Sequence, residues 1–166
     1  MQIDEPDIAT FRRVVGRFAS GVVVVTTRTD EGLHGLTANA FCSVSLDPLL
    51  VLVCVDKLAR GHERLEQAGS FAISILSDRQ EFLAERFAGR APLVNARFDG
   101  IPHRRAVTGA PILEGSVGWL DCRRWATYDG GDHSIFVGRV VAAADGPAAA
   151  PLVFHESRYK QVASGQ

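Results

Sequence analysis

Residues 36–46 read L-T-A-N-A-F-C-S-V-S-L. Leu36, Ala38, Ala40, Cys42, Val44 and Leu46 are all apolar. Thr37, Asn39, Ser43 and Ser45 are small and polar, with only Phe41 out of pattern. Strict period-two alternation is the mark of a half-buried strand. The polar row carries no charge, which is unusual for a face in plain water. Such a row faces either a ligand or a covering loop or subunit.

Working outward, the segment before it is V-V-V-V-T-T-R-T (22–29), a β-branched strand, and residues 30–32, D-E-G, form a turn. The two strands therefore pair as a hairpin. Asp47-Pro48 ends the second one. P-L-L-V-L-V-C-V (48–55) is apolar on both faces and reads as a central, fully covered strand.

Upstream, Asp7 is placed to cap a helix running to about Phe18 and closed by Gly21. Phe11, Val14, Val15 and Phe18 would lie on one stripe. Downstream come a loop and short helix over 56–68 and a strand over 71–76. Asp78 and Glu81 read as the capping box of a helix carrying Phe82, Leu83 and Phe87, with Gly89 at its end. Residues 90–111, with Pro92, Pro102 and Pro111, read as a long excursion. A long strand spans 112–126, D-G-G-D (129–132) turns it into a strand over 134–144, and 142–151 is a loop. Short strands close the chain at 152–154 and 159–162. The count is about seven strands and two or three helices, mostly hairpin-linked, in one domain with its core over 11–162. A small antiparallel barrel is the natural way to remove the sheet edges.

Composition excludes several classes. The 166 residues carry 18 basic and 19 acidic side chains, a net charge of −1, with 46% hydrophobic residues. That balance gives no bias toward nucleic acid. The apolar runs are too short to span a bilayer, and the acidic, polar start does not resemble a secretory leader. Cys42, Cys54 and Cys122 stand far apart in apolar or strand-like runs, and they read as reduced core thiols of a cytoplasmic protein. No G-x-G-x-x-G, P-loop or G-x-S-x-G motif occurs. His62-Glu63 lacks a second histidine at zincin spacing, so no metal site is expected.

Three features remain. They are the uncharged row, the D-K-L-A-R-G-H segment (56–62) just past a buried strand, and G-G-D-H (130–133). Lys57 and Arg60 could meet an anionic group. G-G-D-H alone is a tight turn with a polar flank.

Their order and spacing resemble the short-chain flavin reductases, the reductase components of two-component flavin-dependent monooxygenases. The motifs are F-A-S-G-V-V-V-V-T-T (18–27), G-L-T-A-N-A-F-C-S-V-S-L-D-P-L-L-V-L-V-C-V (35–55), K-L-A-R-G-H (57–62), A-R-F-D-G (96–100), G-A-P-I-L-E-G (109–115), G-G-D-H-S-I-F-V-G-R-V (130–140) and P-L-V-F-H-E-S-R-Y (151–159). The resemblance implies a flavin-binding split barrel, mostly β with a few helices, as a homodimer. It implies NAD(P)H-dependent reduction of FMN or FAD, with reduced flavin passed to a monooxygenase partner.

Carried over by position, His34, Gly35, Leu36, Thr37, Ala38, Asn39 and Ala40 would line the flavin ring and ribityl chain. Cys54, Val55 and Asp56 would hold the ring region through backbone. Lys57, Arg60 and Gly61 would take the phosphate end, and Arg86 would add a contact. His133 would sit against the nicotinamide as the catalytic-site residue, with His155, Arg158 and Tyr159 in a second nicotinamide-dinucleotide segment. Three positions depart from the family pattern: Ala59 and Ala40 stand where Ser is common, and Arg97 replaces a frequent Lys. The alternative function is a non-catalytic flavin carrier or redox-responsive module, since fold alone does not decide activity.

Overall fold

Twelve strands and three α-helices arise from these patterns in a computed structural model that describes residues 5–90 and 98–162. In chain order they are α1 (Ile8–Val15), β1 (Ser20–Gly21), β2 (Val23–Thr29), β3 (Gly32–Ala38), β4 (Phe41–Leu46), β5 (Leu49–Asp56), α2 (His62–Gln67) and β6 (Ser70–Ile75). After a 3₁₀ turn (Asp78–Gln80) follow α3 (Glu81–Phe87), β7 (His103–Arg105), β8 (Pro111–Leu113), β9 (Gly118–Gly130), β10 (His133–Asp145), β11 (Leu152–His155) and β12 (Arg158–Gln161). Seven strands make one antiparallel sheet in the order β3-β2-β6-β9-β10-β5-β4.

The hydrogen-bonded ladder does not close between its two ends, β3 and β4. Yet Leu36 and Ala38 of β3 share one core with Val51, Val53 and Val55 of β5, together with Phe71 and Phe136. The sheet therefore curls around a common interior. A second core holds Val22, Val24, Leu76, Ala84, Phe87 and Leu152 on the opposite face of β2.

The four-valine run 22–25 is thus buried on both sides, all at 2% exposure or less. It is β2, not β5, that is the fully covered strand. On β5 only Val51, Val53 and Val55 are buried, while Leu50, Leu52 and Cys54 stay half-buried.

The expected single strand over 36–46 is two strands with a corner at Asn39 and Ala40. The hairpin of β2 and β3 forms as read, with Thr29 opposite Gly32. After the corner the faces change. Phe41 packs on the core, whereas Cys42, Val44 and Leu46 are exposed. The alternation ran through the corner because the outer face of β4 is apolar too, so period two could not reveal the break.

Other boundaries moved for local reasons. The Asp7 carboxylate accepts the Thr10 N–H at 2.7 Å, as an N-cap should, and this bond holds its pKa below the usual value. The helix then ends at Gly16, well before Gly21. Phe11, Val14, Val15 and Phe18 are 51–80% exposed, so among the described residues nothing covers their stripe. The capping box belongs to Ser77 and Gln80, one residue before Asp78 and Glu81. Residues 112–126 split into β8 and β9 at a turn where Gly115 has φ +80°. The excursion over 90–111 holds β7, which pairs with β8. Pro92, and Arg97 of the A-R-F-D-G motif, lie outside the described residues. β10 runs on to Asp145, so residues 142–145 of the expected loop are strand.

Two of the three cysteines differ from the expected core placement. Cys122 is buried, but Cys54 is half-buried and Cys42 exposed, because β4 is an edge strand and presents its outer face. Burial pushes the Cys122 thiol up to about 12, with Asp121 adding to the shift. Its reactive thiolate at pH 8 is then about a thousandfold scarcer than for an ordinary cysteine. In a thiol-labelling time course, Cys122 is expected to react only after denaturant is added. Labelling of all three thiols at similar rates in the native state would contradict its placement.

Candidate functional site

The corner at Asn39 and Ala40 separates two strand edges. β3 pairs with β2 on one side and has no strand partner on the other among the described residues. β5 pairs with β4 only as far as Val53 opposite Phe41, after which the Cys54 N–H donates to the Ala40 carbonyl at 2.9 Å. Beyond that point Val55 and Asp56 pair on the β10 side alone. An unpaired edge presents backbone donors and acceptors in a row. Here two such edges meet, with the small residues Asn39 and Ala40 exposed between them.

Segment 57–61 lies against β3. Gly61 approaches so closely that a Cβ there would sit 3.0 Å from Leu36 Cδ2. Gly35 is as constrained on the other face, where a Cβ would meet the Phe87 ring at 2.6 Å. These contacts put His34–Ala40, Cys54–Asp56 and Gly61 of the expected set into one region. The cavity at its far end is lined by Thr37, Ala38, Asn39, Arg90, Phe154 and Tyr159.

The uncharged row itself has several occupations. The Thr37 hydroxyl donates to the Ala84 carbonyl of α3 at 2.7 Å, and the Asn39 amide donates to Ser20 Oγ at 3.3 Å. Ser43 and Ser45 stand on edge strand β4. His34 hydrogen-bonds Thr29 at 3.0 Å, and burial, reinforced by Arg64, pushes its imidazole below the usual value. The side chains of the row thus mostly bind other elements. What the corner leaves open is backbone.

At the other end, β10 pairing sets His133 opposite Asp56. The His133 Nδ1 lies 2.7 Å from Asp132 Oδ1, a contact that also lowers the Asp132 pKa. A carboxylate only accepts, so the His133 Nδ1–H donates to it and Nε2 is the ring nitrogen this contact leaves open. Lys57 is engaged: its ammonium reaches Asp129 Oδ1 at 2.5 Å and the Gly131 carbonyl at 2.6 Å. This pair lowers the Asp129 pKa. Arg60 is exposed and has no polar partner among the described residues, so it is the cation this loop leaves available.

Arg86 sits on α3, the helix whose Ala84 carbonyl accepts from Thr37 of β3, and donates to the Asp99 carbonyl at 3.0 Å. Tyr159 lines the cavity, stacked edge-on with Phe154 at 5.5 Å, and burial followed by Glu85 raises its phenol to about 12. His155 and Arg158 pair with each other next to Phe154 and Tyr159, so strand alternation turns them to the hairpin's other face. The structure does not bring those two to the cavity.

Two residues to which the motifs assign no role come forward in the structure. His62 is buried with its Nε2 2.8 Å from Ser134 Oγ. Asp121, fully buried, accepts the Thr108 N–H at 2.8 Å and its hydroxyl as well. For His62 the signal was its apolar helix position beside Leu65. For Asp121, a lone carboxylate in a strand-like run, it was the mismatch itself. Among the described residues no cluster of three or more metal-ligating side chains occurs, and no helix is long and apolar enough to cross a membrane.

The residues at the corner suit a flat heterocycle with hydrogen-bonding edges and an anionic tail. Open amides and carbonyls match the ring edges, Arg60 waits at one end and Arg90 lines the cavity at the other.

Comparison with known proteins agrees. Residues 15–163 match the family described as "Flavin reductase like domain". The NADH-dependent FAD reductase of Streptomyces globisporus is 42% identical over 164 residues, covering 97% of this chain and 89% of that protein. The reductase subunit HsaB of a Mycobacterium tuberculosis flavin-dependent monooxygenase is 36% identical over 155 residues, 92% of this chain and 81% of that protein. Among solved structures, the NADH:FAD oxidoreductase SgcE6 of Streptomyces globisporus C-1027 matches with a TM-score of 0.89 at 41% identity, across 100% of this chain and 99% of that one. The flavin reductase component BorF of a bacterial two-component tryptophan halogenase matches at 0.86 and 39%, across 94% and 98%. On a match that spans nearly all of its sequence and its whole fold, the chain belongs to the flavin reductase-like family.

Proposed function

We propose that this chain is an NAD(P)H-dependent flavin reductase that reduces FMN or FAD and supplies reduced flavin to a partner monooxygenase. The observation that carries this reading is the open corner between β3 and β5, with a cation at Arg60 and an oriented imidazole at His133. The likeness to SgcE6, a structure of which holds NAD and FAD fragments, supports it.

When bound, flavin supplies the acceptor for a hydride from the reduced nicotinamide. The chain's task is to place the two molecules and to stabilise charge. Backbone groups of His34–Ala40 and of Cys54–Asp56 other than the bonded Cys54 N–H and Ala40 carbonyl would hold the ring edges, and donors there would stabilise negative charge on the ring. Arg60, with Lys57 and Gly61 beside it, would take the phosphate. The His133 ring, held at Nδ1 by Asp132, would orient the nicotinamide carboxamide through Nε2. Tyr159 would flank the far end, with Arg86 as an outer contact, while His155 and Arg158 would be reached only from the hairpin's other face.

The same reading includes a split barrel that works as a homodimer in a reducing cytoplasm. One core shared by both ends of the sheet supports the barrel. The dimer would cover the outer face of β4, β5 and β10, where Cys42, Val44, Leu46, Leu50, Leu52, Cys54 and Ile135 lie half-buried or exposed. A mass in solution of twice 17.9 kDa is expected.

The test is loss of absorbance at 340 nm with NADH or NADPH and FMN or FAD in the four combinations. Oxidation with at least one flavin is expected. Flavin binding without oxidation in any combination would favour the carrier module instead.

His133→Ala is expected to raise the KM for NADH about three- to tenfold, the worth of one neutral hydrogen bond, while leaving flavin affinity unchanged. Initial rates against NADH, with a flavin titration, check this. Lost flavin binding with normal NADH handling would contradict it.

A further inference from the structure

His62 opens α2, is 8% exposed, and lies with its Nε2 2.8 Å from Ser134 Oγ. Its ring stands edge-on to Phe136, with centroids 5.6 Å apart. Both partners belong to β10, and Ser134 directly follows His133. Segment 57–61 is therefore fastened to the β9–β10 hairpin at both ends. At its start, the Lys57 N–H donates to the Asp132 carbonyl at 3.0 Å and its ammonium pairs with Asp129. Those contacts are exposed to water, where ion pairs hold weakly. At its end is the buried His62–Ser134 bond, where either group left alone would sit desolvated without a partner. Between the two fastenings, Leu58 and Arg60 face solvent.

We propose that His62 is a positioning residue that, through Ser134, holds segment 57–61 against β10 and so sets Arg60 relative to the His133 imidazole. This rests on the roles given to Arg60 and His133 under the proposed function. Ser134 is 5% exposed, so like His62 it is not placed to touch a ligand itself. The pair acts by fixing the spacing between one end of the site and the other. A displacement of about 1 Å between reacting partners costs up to a hundredfold.

The signature is a joint effect. His62→Leu is expected to weaken FMN binding, read by quenching of flavin fluorescence, and to raise the KM for NADH, each about tenfold. His133→Ala moves NADH alone and Arg60→Ala moves flavin alone. Amide hydrogen exchange over 57–61 should quicken in His62→Leu without FMN present. His62→Gln, whose amide reaches the Nε2 position and can donate or accept, is expected to restore both affinities. Ser134→Ala removes only a hydroxyl, should still fold with a melting temperature lower by a few degrees for the unpartnered imidazole, and should reproduce the joint loss. The double variant His62→Leu/Ser134→Ala should be no worse than either single one.

Unchanged FMN affinity and NADH KM in folded Ser134→Ala would overturn the proposal, as would additive losses in the double variant or failure of Gln to rescue. A wild-type chain that neither binds FMN nor oxidises NADH would instead overturn the proposed function, and this inference with it. The two failures are therefore read from different proteins.

Discussion

Phe136→Ala is expected to destabilise the folded chain by about 3–5 kcal/mol, the usual cost of emptying a buried aromatic site. Phe136 is fully buried in the middle of β10, within the core that also holds Phe71, Ile73 and Cys122. Its neighbours cannot collapse into the gap, because they belong to several strands of one sheet whose registers are fixed by backbone pairing. The substitution also removes the ring against which His62 stands. A melting temperature lower by about 10 °C or more would follow for a domain of this size. The control is Leu58→Ala: that side chain is 92% exposed, so its removal should leave the melting temperature unchanged. Equal shifts in the two variants would show that Phe136 is not part of the load-carrying interior.

Arg60→Ala is expected to weaken FMN binding about tenfold to a hundredfold, since a hydrogen bond to a charged group contributes about 1.5–3 kcal/mol. Arg60 is exposed and makes no polar contact among the described residues, so its loss should leave the melting temperature alone. The comparison that matters is FMN against riboflavin. Riboflavin lacks the phosphate, so its affinity should not change. The FMN effect should also shrink as salt is added, because the pair is exposed to screening. Equal losses for FMN and riboflavin would place Arg60 against the ring instead. No loss for either would remove it from the site and turn attention to Lys57, which would first have to leave Asp129.

The legibility of this chain can be followed residue by residue. The 22–29 strand, the hairpin turn at 30–32 and the cap at Asp7 were readable because β-branched runs, turn residues and caps act locally. The Asn39–Ala40 corner was not readable. Apolar alternation depends on which face is covered, and residues 36–46 are covered on one face before the corner and bare on the other after it. The same ambiguity exchanged β2 and β5 as the fully covered strand. Both are continuous apolar runs, and only the second core under Val22 and Val24 distinguishes them. In the site, motif order singled out His34–Ala40, Cys54–Asp56, Gly61 and His133; the first three lie around one corner and His133 pairs opposite Asp56. It could not show that the Thr37 hydroxyl turns to α3, that Lys57 is held by Asp129, or that His155 and Arg158 face away.

By itself, the sequence determined that this is a mostly β chain with short helices, that charge and motifs leave no nucleic-acid, P-loop or zinc reading, and that its ordered motifs match the flavin reductases. The first two follow from composition, local propensity and spacing, none of which needs distant contacts; the last is a resemblance carried by the motifs in their order. The tertiary structure alone decided which strand edges remain open, which cations stay available, and that His62 meets Ser134. Each of these joins residues far apart in sequence, 72 positions in the case of His62 and Ser134. Their meeting is set by how the sheet curls around Phe71 and Phe136, a global packing outcome that no local period encodes.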